Sequence, residues 1–334
     1  MSKQCVLEVE NFPLESGEIL PKAEFSYMTY GTYGSDVVLV FHALAGNTDA
    51  AEWWNGIIGD GKIIDPKKHF IICANFLGSC YGSTGPESID PETGKPYHTD
   101  FPVITTGDIA RQHLAILESL GIEKVTLGIG GSMGGMILLE LAAMKPNLFE
   151  RIIPIAIGAS HSAWRIAFSS VIRKTIEAYG KEFGEEGYYR GMHLARQIAM
   201  TSYRSSTEFD GRFGRDKKGH IFEIESYLEH QGEKITARFS PHSYITLTRA
   251  MELYDINDKI QEIECEALFI GTTSDVLYSE EEIKEVTCRI PRARYKSLDT
   301  PFGHDSFLVA QEKLGKLIRS FATKTIKPKQ EIFA

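Results

Sequence analysis

No run of about 18 apolar residues occurs in the chain, so a membrane-spanning helix is not expected. The opening residues, Met1-Ser2-Lys3-Gln4-Cys5, have no apolar core of a secretory signal. Cysteine is scarce and scattered: five in all (Cys5, Cys73, Cys80, Cys265, Cys288), with no Cys-x-x-Cys. That pattern fits neither a disulfide framework nor a zinc knuckle. A reduced, cytoplasmic protein is the simplest account. Positive charge is in deficit, with 36 Lys and Arg against 45 Asp and Glu, a net charge of -9. This argues against nucleic acid or an anionic membrane as the main partner. An acidic ligand stays open, because a local basic patch can hold one. Internal repeats and low-complexity segments are absent. No residue cluster has metal-ligand spacing, so neither a metal nor a bound cofactor is expected.

What remains is an ordinary globular composition. The 334 residues, 43% hydrophobic, are enough for one large α/β domain or a domain with an insertion. The chain is organised around residues 125–144. A short apolar run becomes Gly130-x-Ser132-x-Gly134, then a segment rich in helix formers. A strand, a tight turn with serine at its tip and a helix form a nucleophile elbow. Side chains at Gly130 and Gly134 would clash where strand and helix nearly touch. Free N–H groups at the helix start suit a developing oxyanion.

Two antiparallel strands are expected in residues 5–33, from their loose alternation. Val37-Val38-Leu39-Val40-Phe41 is a continuous apolar run, the mark of a strand covered on both faces. The loop His42-Ala43-Leu44-Ala45-Gly46-Asn47 follows it. His42, at a strand end, is expected to be structural rather than a catalytic base. Trp53 and Trp54 fall in a short helix, more for packing than for ligand contact. Residues 69–75 form the next strand, and the long turn-rich loop at its carboxyl end, 78–86 and then 90–97, is expected to be functional. A helix is predicted over 106–120 and a strand over 152–157, where Pro154 conflicts mildly with a ladder. From 160 to 258 the alternation stops. Helical patterns at 164–179, 188–202, 221–231 and 242–254 predict a helical lid over a core of residues 1–159 and 259–334. Strands at 267–271 and 293–298 flank a helix at 280–290, and a terminal helix spans 306–323. The tail from 324 is expected to be frayed.

Ser132, Asp275 and His304 each follow a strand, in the chain order of an α/β-hydrolase triad. A serine hydroxyl is a poor nucleophile at neutral pH. His304 takes its proton, and Asp275 fixes the imidazole tautomer. Asp299 and Asp305 are the rivals of Asp275, the first too near His304 in sequence and the second pointing elsewhere. The oxyanion donors are assigned to the backbone N–H groups of Leu44 and Met133. A dinucleotide loop at Gly128 and Gly130 fails at its third glycine.

Beyond these single features, the chain resembles the homoserine O-acetyltransferases, acyltransferases of methionine biosynthesis within the α/β-hydrolase superfamily. The resemblance rests on His42-Ala43-Leu44 with Gly46, segments 75–86 and 93–97, Gly130 to Met136, Tyr203-Arg204-Ser205, Ser226-Tyr227-Leu228 and residues 302–308. It implies ping-pong transfer from acetyl-CoA as co-substrate through an acyl-Ser132, with homoserine deprotonated by His304. It further implies that Arg204 holds the amino-acid carboxylate, that Asp305 holds the amine, and that two copies pair through the lid. Ala45, Ser169, Val276 and Ser279 depart from the family pattern. They leave succinyl transfer, serine as acceptor, or an esterase with the same triad as alternatives.

Overall fold

The computed structural model describes residues 2–323; the predicted frayed tail lies outside them. The described residues form ten strands: β1 Ser2–Pro13, β2 Ile19–Tyr30, β3 Asp36–Phe41, β4 His69–Ala74, β5 Leu127–Gly131, β6 Arg151–Ile155, β7 Lys217–Lys218, β8 Ile221–Phe222, β9 Glu266–Thr272 and β10 Ala293–Leu298. Eight of them form one sheet in the order β1-β2-β4-β3-β5-β6-β9-β10. The β1–β2 and β2–β4 pairs are antiparallel and the rest are parallel.

The apolar runs explain this arrangement. In β3, Leu39 and Phe41 enter one core, while Val38 and Val40 enter the other. Successive strand residues point to opposite faces, so a strand buried on both sides has no polar positions left. Each such side chain contributes roughly 1.5–3 kcal/mol by leaving water. Pro154 pairs with Gly130 on the β5 side. Toward β9 the pairing runs Arg151 with Glu266 and Ile152 with Ala267, then resumes at Ile155 with Ile270. The proline thus falls where that ladder skips.

The helices are α1 Ala50–Trp53, α2 Thr106–Ser119, α3 Met133–Met144, α4 Ala163–Phe183, α5 Glu185–Tyr203, α6 Ser206–Phe213, α7 Glu223–Thr236, α8 Pro241–Glu252, α9 Glu280–Cys288, α10 Ser306–Val309 and α11 Gln311–Ala322. Helices α4 to α8 occupy the predicted insertion. Two features there were not predicted, α6 and the small β7–β8 hairpin. Helix α6 is eight residues long and buries only Phe213, so it has no apolar period to detect. The terminal helix also differs from expectation. It breaks at Ala310 into α10 and α11, because the Gln311 side chain donates to Trp53 O and Leu308 O and accepts from Gly56 N–H. No helix among the described residues is long and apolar enough to cross a membrane.

Candidate active site

Strand β5 runs into Ser132, which is also the N-cap of α3. Its backbone sits at φ 54°, ψ -127°, a strained conformation for a residue with a Cβ. The flanking glycines make the turn possible. A Cβ on Gly130 would lie 2.6 Å from Gly134 O, and one on Gly134 would lie 2.6 Å from His42 O. The serine is thereby held up at the carboxyl edge of the sheet.

Asp275 follows β9, and His304 follows β10. Adjacent parallel strands end side by side, so residues far apart in sequence meet. His304 Nε2 lies 2.8 Å from Ser132 Oγ, and its Nδ1 lies 2.7 Å from Asp275 Oδ2. The other carboxylate oxygen of Asp275 accepts from the Leu277 and Tyr278 N–H groups at 2.8 and 3.1 Å, which fixes its orientation. Burial alone would lower the imidazole pKa. The charge and hydrogen bond of Asp275 outweigh it and hold His304 above its ordinary value. Of the two rival carboxylates, Asp299 accepts from the Thr273 hydroxyl and Asp305 pairs with Arg204.

His42 is fully buried and stacked on Phe76, with ring centroids 3.7 Å apart and Nδ1 2.7 Å from Ala43 O. Burial pushes its pKa down to about 3. It is a packing residue, and the loop it begins carries Leu44 over the serine. Leu44 lines both cavities that open on Ser132. Met133 is the first residue of α3, where N–H groups lack intrahelical partners.

The larger of these cavities, about 500 Å³, also meets Trp53, Tyr203, Asp305 and the cations Arg196, Lys234 and Arg238. Sequence reasoning missed those three cations, and no helical spacing marks them, since Arg238 lies beyond the C-cap of α7. Arg238 Nη1 donates to Ala45 O at 2.6 Å and to the Tyr81 hydroxyl at 2.8 Å, tying the 42–47 loop to the 75–86 loop. Of the adjacent tryptophans, Trp54 is pure packing, its indole N–H donating to Phe307 O, whereas Trp53 faces the cavity.

The smaller cavity is lined by Phe168, Ile172, Leu277 and Tyr278 among others. Its one guanidinium, Arg165, is already held by both Glu282 oxygens at 2.7 and 2.8 Å and by two carbonyls. Ser169 there bonds to Glu252. Val276 is exposed and Ser279 caps α9, so neither meets these cavities.

Arg204 is not a free cation. Its Nη1 donates to both Glu208 oxygens at 3.2 and 3.3 Å, and its Nε lies 3.2 Å from Asp305 Oδ2. Glu208, four residues on, is a partner that the sequence reading overlooked. Asp305 reaches the large cavity; Arg204 stands behind it.

A sheet of this order, with a serine elbow after β5 and an aspartate and a histidine past the ends of the neighbouring strands β9 and β10, defines an α/β-hydrolase-fold enzyme. A family profile described as alpha/beta hydrolase fold matches residues 36–310. A homoserine O-acetyltransferase of Chlorobaculum parvum is 42% identical over 94% of this chain and 93% of its own length. The crystal structure of the Staphylococcus aureus homoserine O-acetyltransferase superposes with a TM-score of 0.83 at 28% identity, over 99% of this chain and 98% of that one. The chain belongs to the homoserine O-acetyltransferase family. Esterase E22, as its L374D mutant, matches with a TM-score of 0.89 at 24% identity, over 97% of this chain and 100% of that one. At that identity it shares the fold alone.

Proposed function

We propose that this chain transfers an acetyl group from acetyl-CoA to the hydroxyl of L-homoserine, in methionine biosynthesis. The observation that carries the reading is the Ser132–His304–Asp275 chain at the floor of a cavity with a cationic rim. Ser132 Oγ attacks the thioester carbonyl as its proton passes to His304 Nε2. The N–H groups of Leu44 and Met133 receive the oxyanion, each worth roughly 3 kcal/mol of barrier. His304 returns the proton to the departing CoA sulfur, leaving acetyl-Ser132. The homoserine hydroxyl then gives its proton to His304 and attacks the acetyl carbonyl. Collapse releases O-acetylhomoserine and restores the serine.

Each side of the site supports a part of this. Arg196, Lys234 and Arg238 suit the phosphates of CoA. The small cavity offers an acyl group no uncommitted cation, which favours acetyl over succinyl. The Arg204–Asp305 pair is one that a zwitterion replaces: the carboxylate turns to Arg204 and the ammonium to Asp305. Exposed Trp164, Val171, Phe183 and Tyr189 on α4 and α5 support a homodimer through the lid. A cytoplasmic location fits the five unpaired cysteines.

Thiol release from acetyl-CoA, measured with and without homoserine, tests the reading. Homoserine-dependent release with O-acetylhomoserine as product is expected. Release indifferent to homoserine overturns it in favour of a hydrolase, and preference for serine or succinyl-CoA overturns the acceptor or donor.

A further inference from the structure

A second cluster of ligand-type side chains lies where the 86–98 loop meets the lid. Backbone bonds fold this loop on itself, with His98 N–H donating to Pro86 O at 2.7 Å and Tyr97 N–H to Ser88 O at 3.0 Å. Glu87 is thereby brought beside His98. His98 holds φ 46°, a conformation unusual for any residue but glycine. His242 comes from the first turn of α8, and Glu185 is the first residue of α5. One donor atom from each of Glu87, His98 and His242 lies within 4.8 Å of the others.

The histidine of α8 carries the strongest indication of a ligand. It is 2% exposed. Its Nε2 faces the Glu185 carboxylate at 3.2 Å, while its Nδ1 is buried with no hydrogen-bond partner among the described residues. An unpaired buried polar atom is costly and needs an explanation. With the proton on Nε2 and donated to Glu185, Nδ1 presents a bare lone pair. The same Glu185 oxygen lies 3.6 Å from His98 Nδ1, so this carboxylate sits between the two imidazoles, and a carboxylate bonded to an imidazole is the usual support of a metal-bound histidine. On the other flank, the Ser240 hydroxyl donates to Glu87 and steadies it.

We propose that Glu87, His98 and His242 form a site for a divalent transition metal of the zinc class, with Glu185 orienting His242. Two imidazoles and a carboxylate suit zinc and its neighbours better than calcium or magnesium. Zinc–nitrogen bonds of about 2.0–2.1 Å in a tetrahedron place donors roughly 3.3 Å apart. The cluster must therefore contract by at most about 1.5 Å, a movement the exposed side chain of Glu87 can share. A cavity of about 380 Å³, bordered by His98, Tyr188 and His242, leaves the remaining position to water. That cavity shares no lining residue with the two that open on Ser132. The ion is thus placed outside acyl transfer. It fastens the lid helix α8, and α5 through Glu185, to the 86–98 loop.

The test uses the full chain, stripped with a chelator and dialysed against zinc. Bound metal is measured by atomic emission, and cobalt is added in parallel as a spectroscopic probe. One zinc per chain, visible bands of tetrahedral cobalt and a higher melting temperature with zinc are expected. His98→Gly keeps the backbone conformation, and Glu87→Gln keeps the size. Each should weaken zinc binding at least tenfold and leave the zinc-free rate of acetyl transfer unchanged. Failure to retain zinc, or equal affinity in both variants and the parent, overturns the site. A fall in the zinc-free transfer rate of either variant overturns its separation from the chemistry.

Discussion

The sharpest perturbation of this enzyme is Asp275→Asn. It preserves side-chain volume and the Oδ1 contacts to the Leu277 and Tyr278 N–H groups, and removes only charge. The new amide can donate to His304 Nδ1, which drives the ring proton onto Nε2. The nitrogen 2.8 Å from Ser132 Oγ then has no lone pair to accept with. In Ser-His-Asp enzymes this exchange lowers kcat by about 10⁴, which is roughly 5.5 kcal/mol of barrier. The same change moves the pH profile in a direction fixed by the surroundings of His304. The histidine works as a base only when neutral. Burial pushes its pKa down, but Asp275 prevails and raises it above the ordinary 6.5. The acid limb of kcat/KM therefore lies above 6.5 in the parent. In the variant burial remains, with Arg165 acting in the same direction, and the limb moves to lower pH.

Colorimetric thiol release from acetyl-CoA in saturating homoserine, followed across the neutral range, reads both effects. A loss smaller than about tenfold would refute the role of Asp275. An acid limb that stays in place would refute the account of the His304 pKa. Folding stability supplies a check independent of turnover. A raised pKa means that the folded state binds the proton more tightly than the unfolded one. That stabilisation is complete below the ordinary imidazole value and disappears as pH rises through the folded value. In Asp275→Asn it should be absent, and denaturant midpoints at mildly acidic and alkaline pH will show the difference.

Arg204→Lys and Asp305→Asn should each raise the KM for homoserine about 10- to 100-fold, the worth of a charge-assisted hydrogen bond. The burst of thiol that accompanies acetylation of Ser132 should be unchanged, and a lost burst would place these residues elsewhere in the cycle. Arg238→Ala should raise the KM for acetyl-CoA and flatten its salt dependence; equal effects with a short acetyl thioester lacking the nucleotide would contradict a phosphate contact. Gly134→Ala places a methyl group 2.6 Å from His42 O. Overpacking of this kind costs about 1–3 kcal/mol, so the urea midpoint should fall, and a variant of native stability and activity would refute the close approach. Glu140 is buried on α3, and burial raises its pKa to about 7 from 4.5. The protonated form is favoured by folding, so stability is lost as pH rises from about 4.5 to about 7, by roughly 3 kcal/mol. Glu140→Gln should remove that loss, and parallel midpoints across this range in variant and parent would sink the reasoning.

How much of this was legible in the sequence depends on how local the signal was. The elbow could be read because Gly130 meets Gly134 within five residues, although the atoms crowding Gly134 belong to Phe41 and His42 at the end of β3. The apolar runs of β3 and β6 could be read because both faces of a parallel sheet are covered. The proximity of Ser132, Asp275 and His304 followed from strand ends lying together, a rule of topology that no spacing in the chain expresses. Helix α6 was missed because it buries one residue and therefore leaves no periodic trace. The break at Ala310 was missed because it is set by Gln311 reaching Trp53 and Gly56, more than 250 positions away in sequence.

The substrate side shows the same division more sharply. Tyr203-Arg204-Ser205 marked Arg204, yet nothing in that tripeptide states whether the guanidinium is free. Glu208 and Asp305 decide it, and together they hold the cation in a closed network rather than leaving it open to the cavity. Charge is a property of neighbours, so a residue type identifies a capacity and the packing determines whether it is used. Arg196, Lys234 and Arg238 are the converse case. They belong to no motif, and only the packing of α5 and of the end of α7 beside the 42–47 loop brings three cations to one rim. A chain with a net charge of -9 can still present an anion with a positive mouth, because net charge sums over a surface that the ligand never samples.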